Sequence, residues 1–190
     1  MIQHGDIEGN DAGWYAVWTR SRQEKASAKM LDTLGVEHYL PLKTEIRKWS
    51  DRRQMVEVPL FSGYLFVNMN LMRQSKLEVL KVPGIVAFVG NRTGPLPISP
   101  KQIEDIRRVL AAGTSCFVKP LFKEGDLVRV CRGALAGVEG RLVRVNSDSQ
   151  LLISVDMIRQ SLAVNISSED VERVEGDCAR ALGLERPTAA

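Results

Sequence analysis

The residue types that do covalent chemistry are present in this chain but not grouped for it. His4 and His38 have no serine, cysteine or carboxylate gathered around them in sequence. A nucleophile needs a base in hydrogen-bond reach and a third group to orient that base. Cys116, Cys131 and Cys178 form no CxxC and have no His nearby, whereas structural zinc takes four ligands at close pairwise spacings. An odd count also argues against a disulfide framework, so reduced thiols are expected. Gly133 and Gly137 belong to no G-K-[ST] loop and no G-x-G-x-x-G turn. The adjacent carboxylates Glu104-Asp105 and Glu169-Asp170 diverge, as a helix surface and a turn cap would have them. The expectation is a protein without catalytic residues, metal or cofactor. What remains is binding chemistry: aromatics in apolar strands and arginines beside them.

Those groups need a scaffold. Trp14 to Arg20 alternates aromatic and β-branched residues and predicts a strand. Ser21 and Glu24 have capping-box spacing, so a helix is expected from Ser21, with Ala26, Met30, Leu31 and Leu34 as its apolar stripe and Gly35 as its stop. A second strand region runs from Glu37 to about Trp49, and Ile46 to Arg53 reads as a hairpin tip. Val56 to Met69 reads as one buried central strand, although Pro59 and Gly63 punctuate it. Residues 71–81 favour a short helix with Leu77 and Leu80 on one face, and Ile85 to Gly90 a further strand. Ser99-Pro100 opens another helix, striped by Ile103, Ile106, Val109 and Leu110.

Past Gly113 the pattern changes. Residues 114–122 read as a linker. Short strands then recur at Asp126–Cys131, Val138–Asn146, Leu151–Asp156, Ser161–Ile166 and Asp170–Val174, the spacing of a small barrel. The division expected is 13–113, a linker at 114–122, and 123–175, with flexible tails at 1–12 and 176–190.

Charge separates the two halves. Residues 1–113 hold 16 Lys and Arg against 12 Asp and Glu, a net of +4, and residues 114–190 hold 10 against 11, a net of −1. Nucleic-acid contact should therefore fall on the first half. At 44% apolar residues the chain is not disordered. No apolar run reaches the roughly 20 residues of a bilayer span, and the first residues lack a signal-peptide pattern. A cytoplasmic, monomeric protein with no membrane contact is expected.

The stretch Phe122 to Val145, FKEGDLVRVCRGALAGVEGRLVRV, resembles the KOW motif. Ahead of it come a W-Y-x-V strand, Tyr39-Leu40-Pro41, P-L-F-S-G-Y-L-F-V, V-P-G-I-V-x-F-V-G and a P-I-S helix start. Together these resemble the NusG family over roughly residues 13–175. Trp18 to Arg22, Tyr39 to Lys43 and Lys48 to Arg52 are similar to the specialised RfaH and UpxY-type paralogs. The resemblance implies an α+β fold: an N-terminal (NGN) domain with a mixed or antiparallel sheet flanked by helices, then a small SH3-like KOW β-barrel. It also implies a transcription elongation and antitermination factor, which is not an enzyme.

Residue by residue, the resemblance puts an RNA polymerase contact, at the β′ clamp helices, on Trp18, Phe61, Tyr64 and Phe66. Trp14, Tyr15 and Phe88 stand nearby; for Trp14 and Phe88 a core role is preferred. Ser75 and Lys76 align with a contact to the β gate loop, without the motif that RfaH uses there. Arg20 and Arg22 fall where related factors face upstream or non-template DNA, and read equally well as solvated charges. Arg47, Lys48, Arg52 and Arg53 carry the same two readings. On the barrel, Leu135 and Val138 align with apolar contacts to a second partner, Rho or a small-subunit ribosomal protein, and an exposed strand near Met157 and Ile158 reads as pairing with a partner or, equally, as core. Leu135 stands where an aromatic is usual, and Ala134 where a proline is. The competing reading is a KOW-containing rRNA-binding protein linked to translation, which the −1 charge of that half disfavours.

Overall fold

The computed structural model describes residues 12–48, 53–71, 76–121, 125–145 and 148–174. The N-terminal unit is built on an antiparallel sheet. Its central strand β1 (Gly13–Thr19) lies between β5 (Tyr64–Met69) and β6 (Ile85–Phe88). A short β2 (His38–Tyr39) flanks β5, and β9 (Pro97–Ile98) pairs the start of β1. The helices are α1 (Glu24–Thr33), α2 (Lys76–Leu80) and α3 (Pro100–Ala111). Two hairpins stand apart from this sheet: β3 (Leu42–Lys48) with β4 (Arg53–Pro59), and the short β7 (Gly90–Asn91) with β8 (Gly94–Pro95).

Both faces of the sheet are covered, which is why β1 buries almost its whole length. Tyr15, Val17, Leu65, Val67 and Met69 point to one face and share a cluster with Leu31 of α1 and Val79 of α2. Trp14, Ala16 and Phe66 point the other way, as the period of two requires, and meet Ile103, Ile106 and Val109 of α3. The register Ala16↔Phe66, Val17↔Leu65 and Trp18↔Tyr64 fixes this sorting.

Several local expectations are corrected. α1 begins at Glu24, and no side chain caps it. Glu24 instead turns inward and accepts a hydrogen bond from the Gly63 amide at 2.8 Å, which a capping box would forbid. The buried stripe is Glu24, Ser27, Ala28 and Leu31, so Met30 and Leu34 are left exposed. Ser27 is satisfied by donating to the Pro83 carbonyl. In α2 the buried residue is Val79, and Leu77 and Leu80 are exposed. Val56 to Met69 is not one strand. Pro59 cannot donate to a central ladder, and Gly63, at φ +80°, turns the chain between the exposed β4 and the buried β5.

The C-terminal unit is a six-stranded antiparallel sheet in the order β10-β14-β13-β12-β11-β15. Its strands are β10 (Cys116–Pro120), β11 (Asp126–Val130), β12 (Glu139–Val145), β13 (Asp148–Val155), β14 (Gln160–Ile166) and β15 (Val171–Arg173). The segment expected to link the units supplies β10, which pairs with β14 from Cys116↔Val164 to Pro120↔Gln160. Its Cys116-Phe117-Val118 run has strand-forming residues, and Pro120 sits at the strand's end, where a missing donor costs least. Gly140 is required by close approach: a Cβ there would stand 2.6 Å from the Leu152 carbonyl oxygen across the β12–β13 pair.

Candidate nucleic-acid and protein interface

The residues expected to meet partners separate into an exposed set and a buried set. Trp18 is 52% exposed on β1, cross-strand from the half-buried Tyr64. Gly63 lies against the Trp18 indole, its Cβ direction 3.7 Å from the ring. Arg20 and Arg22 follow on the exposed turn between β1 and α1. Arg22 sits at φ +63°, a left-handed conformation that a non-glycine residue adopts only where its surroundings impose it. The Thr19 amide donates to the Gly63 carbonyl and the Arg20 amide to the Gly84 carbonyl. These bonds tie the turn to both neighbouring segments, so aromatic pair and arginines share one edge of the N-terminal unit.

Phe61 and Phe66 are fully buried. Their rings meet edge to face at 6.1 Å, and Phe66 stacks on Tyr39 at 6.4 Å. As exposed polymerase anchors they are therefore corrected: Phe66 lies mid-strand on the face of β5 that α3 covers, and Phe61 enters the same cluster from the bend ahead of β5. Tyr39 itself is held by Arg107, whose guanidinium lies 4.8 Å from its ring and 5.2 Å from that of Trp14. Burial pushes the Tyr39 hydroxyl up to about 12 against the opposing pull of Arg107. Lys76 is exposed at the start of α2, and Ser75 lies outside the described residues.

The barrel-side residues are also inward. Leu135, Val138 and Ile158 are buried, and Met157 is partly buried against the same cluster. Met157 and Ile158 belong to a 3-10 turn between β13 and β14 rather than an exposed strand. The edge of β14 is occupied by β10. The shared cluster crosses the boundary between units: it joins Phe61, Phe66, Ile103, Ile106 and Val109 to Val128, Leu135, Val138 and Leu151. The two apolar sets assigned to different partners are thus buried together.

Polar bonds from α3 close over this contact. Lys101 Nζ donates to Asp105 Oδ1 at 2.7 Å and to the Gly137 carbonyl at 2.8 Å. The Glu139 amide donates to Asp105 Oδ2 at 3.4 Å, and Arg108 Nη1 to the Ala136 carbonyl at 3.1 Å. Asp105 is almost completely buried, not on the helix surface as its sequence position suggests. Burial raises its pKa, and the Lys101 bond and charge and the Glu139 amide oppose the rise. A carboxyl whose folded pKa is raised stabilises the fold below the ordinary carboxylate range, and that contribution is lost as pH rises through the folded value. Lowering pH from 7 to about 4 should therefore raise the melting temperature of the wild-type chain relative to Asp105→Asn. A difference that stays flat across a pH series of thermal melts would refute this.

Among the described residues no group of three or more His, Cys, Asp and Glu could hold a metal. No helix among them is long and apolar enough to cross a membrane.

Residues 12–107 match the family described as "Transcription termination factor nusG". The chain belongs to the NusG family. The Thermus thermophilus NusG, named a transcription termination/antitermination protein, is 32% identical over 71% of this chain and 83% of its own length. The Lactococcus lactis NusG of the same name is 28% identical over 92% of this chain and all of its own. Among solved structures, "Domain interaction in Thermotoga maritima NusG" superimposes with a TM-score of 0.51 at 23% identity, covering 87% of this chain and 98% of that one. The NusG match spans β1 through most of α3, so Trp18, Tyr64, Arg20 and Arg22 all lie inside it.

Proposed function

We propose that the protein is a transcription elongation and antitermination factor that binds RNA polymerase at the β′ clamp helices through the Trp18–Tyr64 edge. The observation that carries this reading is a large aromatic, Trp18, left half-exposed inside the NusG-matched region beside two exposed arginines. Aromatics anchor interfaces because they bury much area at little entropy cost. Arg20 and Arg22 then face non-template or upstream DNA, and Lys76 lies toward the β gate loop. Factor binding to the closed, elongating clamp in preference to the opened, paused one shifts the balance between them by that difference in affinity.

In this reading the C-terminal sheet is the KOW barrel, and it recruits Rho or a small-subunit ribosomal protein. Leu135 and Val138 are buried against the other unit's cluster, so recruitment through them requires the two units to part. The likeness to RfaH and UpxY-type paralogs at Trp18 to Arg22 supports service to particular operons rather than all genes.

The test is binding of the full chain to a β′ clamp-helix fragment, with a pausing assay on a reconstituted elongation complex. Capture of the fragment with shortened pause lifetimes is expected. No capture together with unchanged pausing sinks the proposal.

A further inference from the structure

The first turn of α1 puts polar side chains into the sheet. Glu24 is 3% exposed and Ser27 is fully buried. Each reaches a bend that precedes a strand beside β1. Glu24 Oε1 accepts from the Gly63 amide at 2.8 Å, one residue ahead of β5. Ser27 Oγ donates to the Pro83 carbonyl at 2.9 Å, two residues ahead of β6. The end of β1 meets the same two bends, with the Thr19 amide on the Gly63 carbonyl and the Arg20 amide on the Gly84 carbonyl.

The bend at Gly63 is the one that touches the docking edge. The Tyr64 amide closes a turn on the Phe61 carbonyl, with Gly63 at φ +80°, an angle that such turns reserve for glycine. Both backbone polar groups of Gly63 are engaged, the amide by Glu24 and the carbonyl by Thr19. Its Cβ direction lies 3.7 Å from both Cδ1 and Nε1 of the Trp18 indole. The next residue, Tyr64, is the cross-strand partner of Trp18. Gly63 is thus a shelf against which the indole rests, and the Glu24 carboxylate holds the shelf.

Stability alone is a poor reason for a carboxylate at this place. Burying a charge costs more than burying a neutral polar group, and this one bonds an amide rather than a cation. The N-terminus of α1 offsets part of that cost, since it favours negative charge. Placement of the indole is a better reason. A half-exposed ring loses rotamer freedom when it docks, and a ring already supported on one side loses less.

We infer that Glu24 is a positioning residue for the polymerase contact: through the Gly63 amide it holds the bend that supports the Trp18 indole. The inference rests on the reading of Trp18–Tyr64 as the docking edge and gives a role to a residue that touches no partner.

Affinity of the full chain for the β′ clamp-helix fragment should be measured well below every melting temperature, with exchange of the Gly63 amide followed by NMR. Glu24→Ala should weaken binding about tenfold, the scale of a buried donor left without its acceptor, and should speed Gly63 exchange. Glu24→Gln keeps an acceptor oxygen and loses the charge. It should melt slightly lower than wild type yet bind as wild type does, with Gly63 still protected; a merely structural role does not produce that split. In a Trp18→Ala background, Glu24→Ala should remove no further affinity, because both act through one ring. A fully additive loss, affinity that falls in step with melting temperature across the variants, or wild-type binding by Glu24→Ala beside a weakened Trp18→Ala overturns the inference alone. Wild-type binding by Trp18→Ala overturns the docking reading, and the inference with it.

Discussion

Phe66→Ala is expected to destabilise the chain by about 3–5 kcal/mol, the cost of deleting a fully buried aromatic. At roughly 2–4 °C per kcal/mol for a chain of this size, the melting temperature should fall by about 10 °C. The reason is placement. Phe66 lies opposite Ala16 on one side and Tyr39 on the other. It touches Phe61 edge to face and Tyr39 by stacking, and it belongs to the cluster that continues into the second sheet. The cavity left would open beneath both units at once. Urea melts with an unchanged m-value and a lower midpoint would show lost stability; a drop of less than about 1 kcal/mol would mean that the core collapses around the gap. The variant also bears on function: any loss of polymerase binding should track the fraction unfolded, because the ring has no exposed surface to offer.

The difference between what the residues announce and what they do has one recurring cause. Periodicity finds elements well. β1 matches the predicted Trp14–Arg20 strand to about a residue, α3 begins at Pro100 after Ser99, and all five strands predicted past the linker agree in position within a few residues with strands of the six-stranded second sheet. It does not find which side of an element the neighbours will cover. Met30 and Leu34 look like a core stripe, yet the helix is rolled so that Glu24 and Ser27 are buried with partners from Gly63 and Pro83. Those partners are distant in sequence, so no local pattern announces them. Asp105 was unreadable for the same reason, since the groups that make its burial tolerable are Lys101 and the Glu139 amide. The linker expected at 114–122 fails in the opposite direction. A short strand at a sheet edge with Pro120 at its end looks like a connector until β14 is there to pair with it. In the candidate site, residue types were legible but exposure was not: Trp18, Phe61, Tyr64 and Phe66 look equivalent as aromatics, and Trp18, Tyr64 and Phe66 even share one sheet face, so only how far the cluster with α3 and the second sheet covers that face separates them.

That difference in cover leads to the sharpest functional expectation. Trp18→Ala should weaken binding to the polymerase clamp fragment by tenfold or more, the threshold of about 1.4 kcal/mol that interface tryptophans commonly exceed. Melting should change little, because the side chain is half-exposed and its β1 backbone pairings to Tyr64 and Ala87 do not depend on the indole. Phe66→Ala should show the reverse, a large stability loss and full affinity in the folded fraction. The contrast matters because both residues lie on the paired strands β1 and β5, within the NusG-matched segment, and both are aromatic. A role for general apolar content would make the two variants behave alike. Affinity measured below both melting temperatures separates them. If Trp18→Ala binds as tightly as wild type there, the Trp18–Tyr64 edge is not where the polymerase docks. The contact must then be sought on surfaces that the closed arrangement of the two units now buries, with Leu135 and Val138 released together with Phe61 and Phe66.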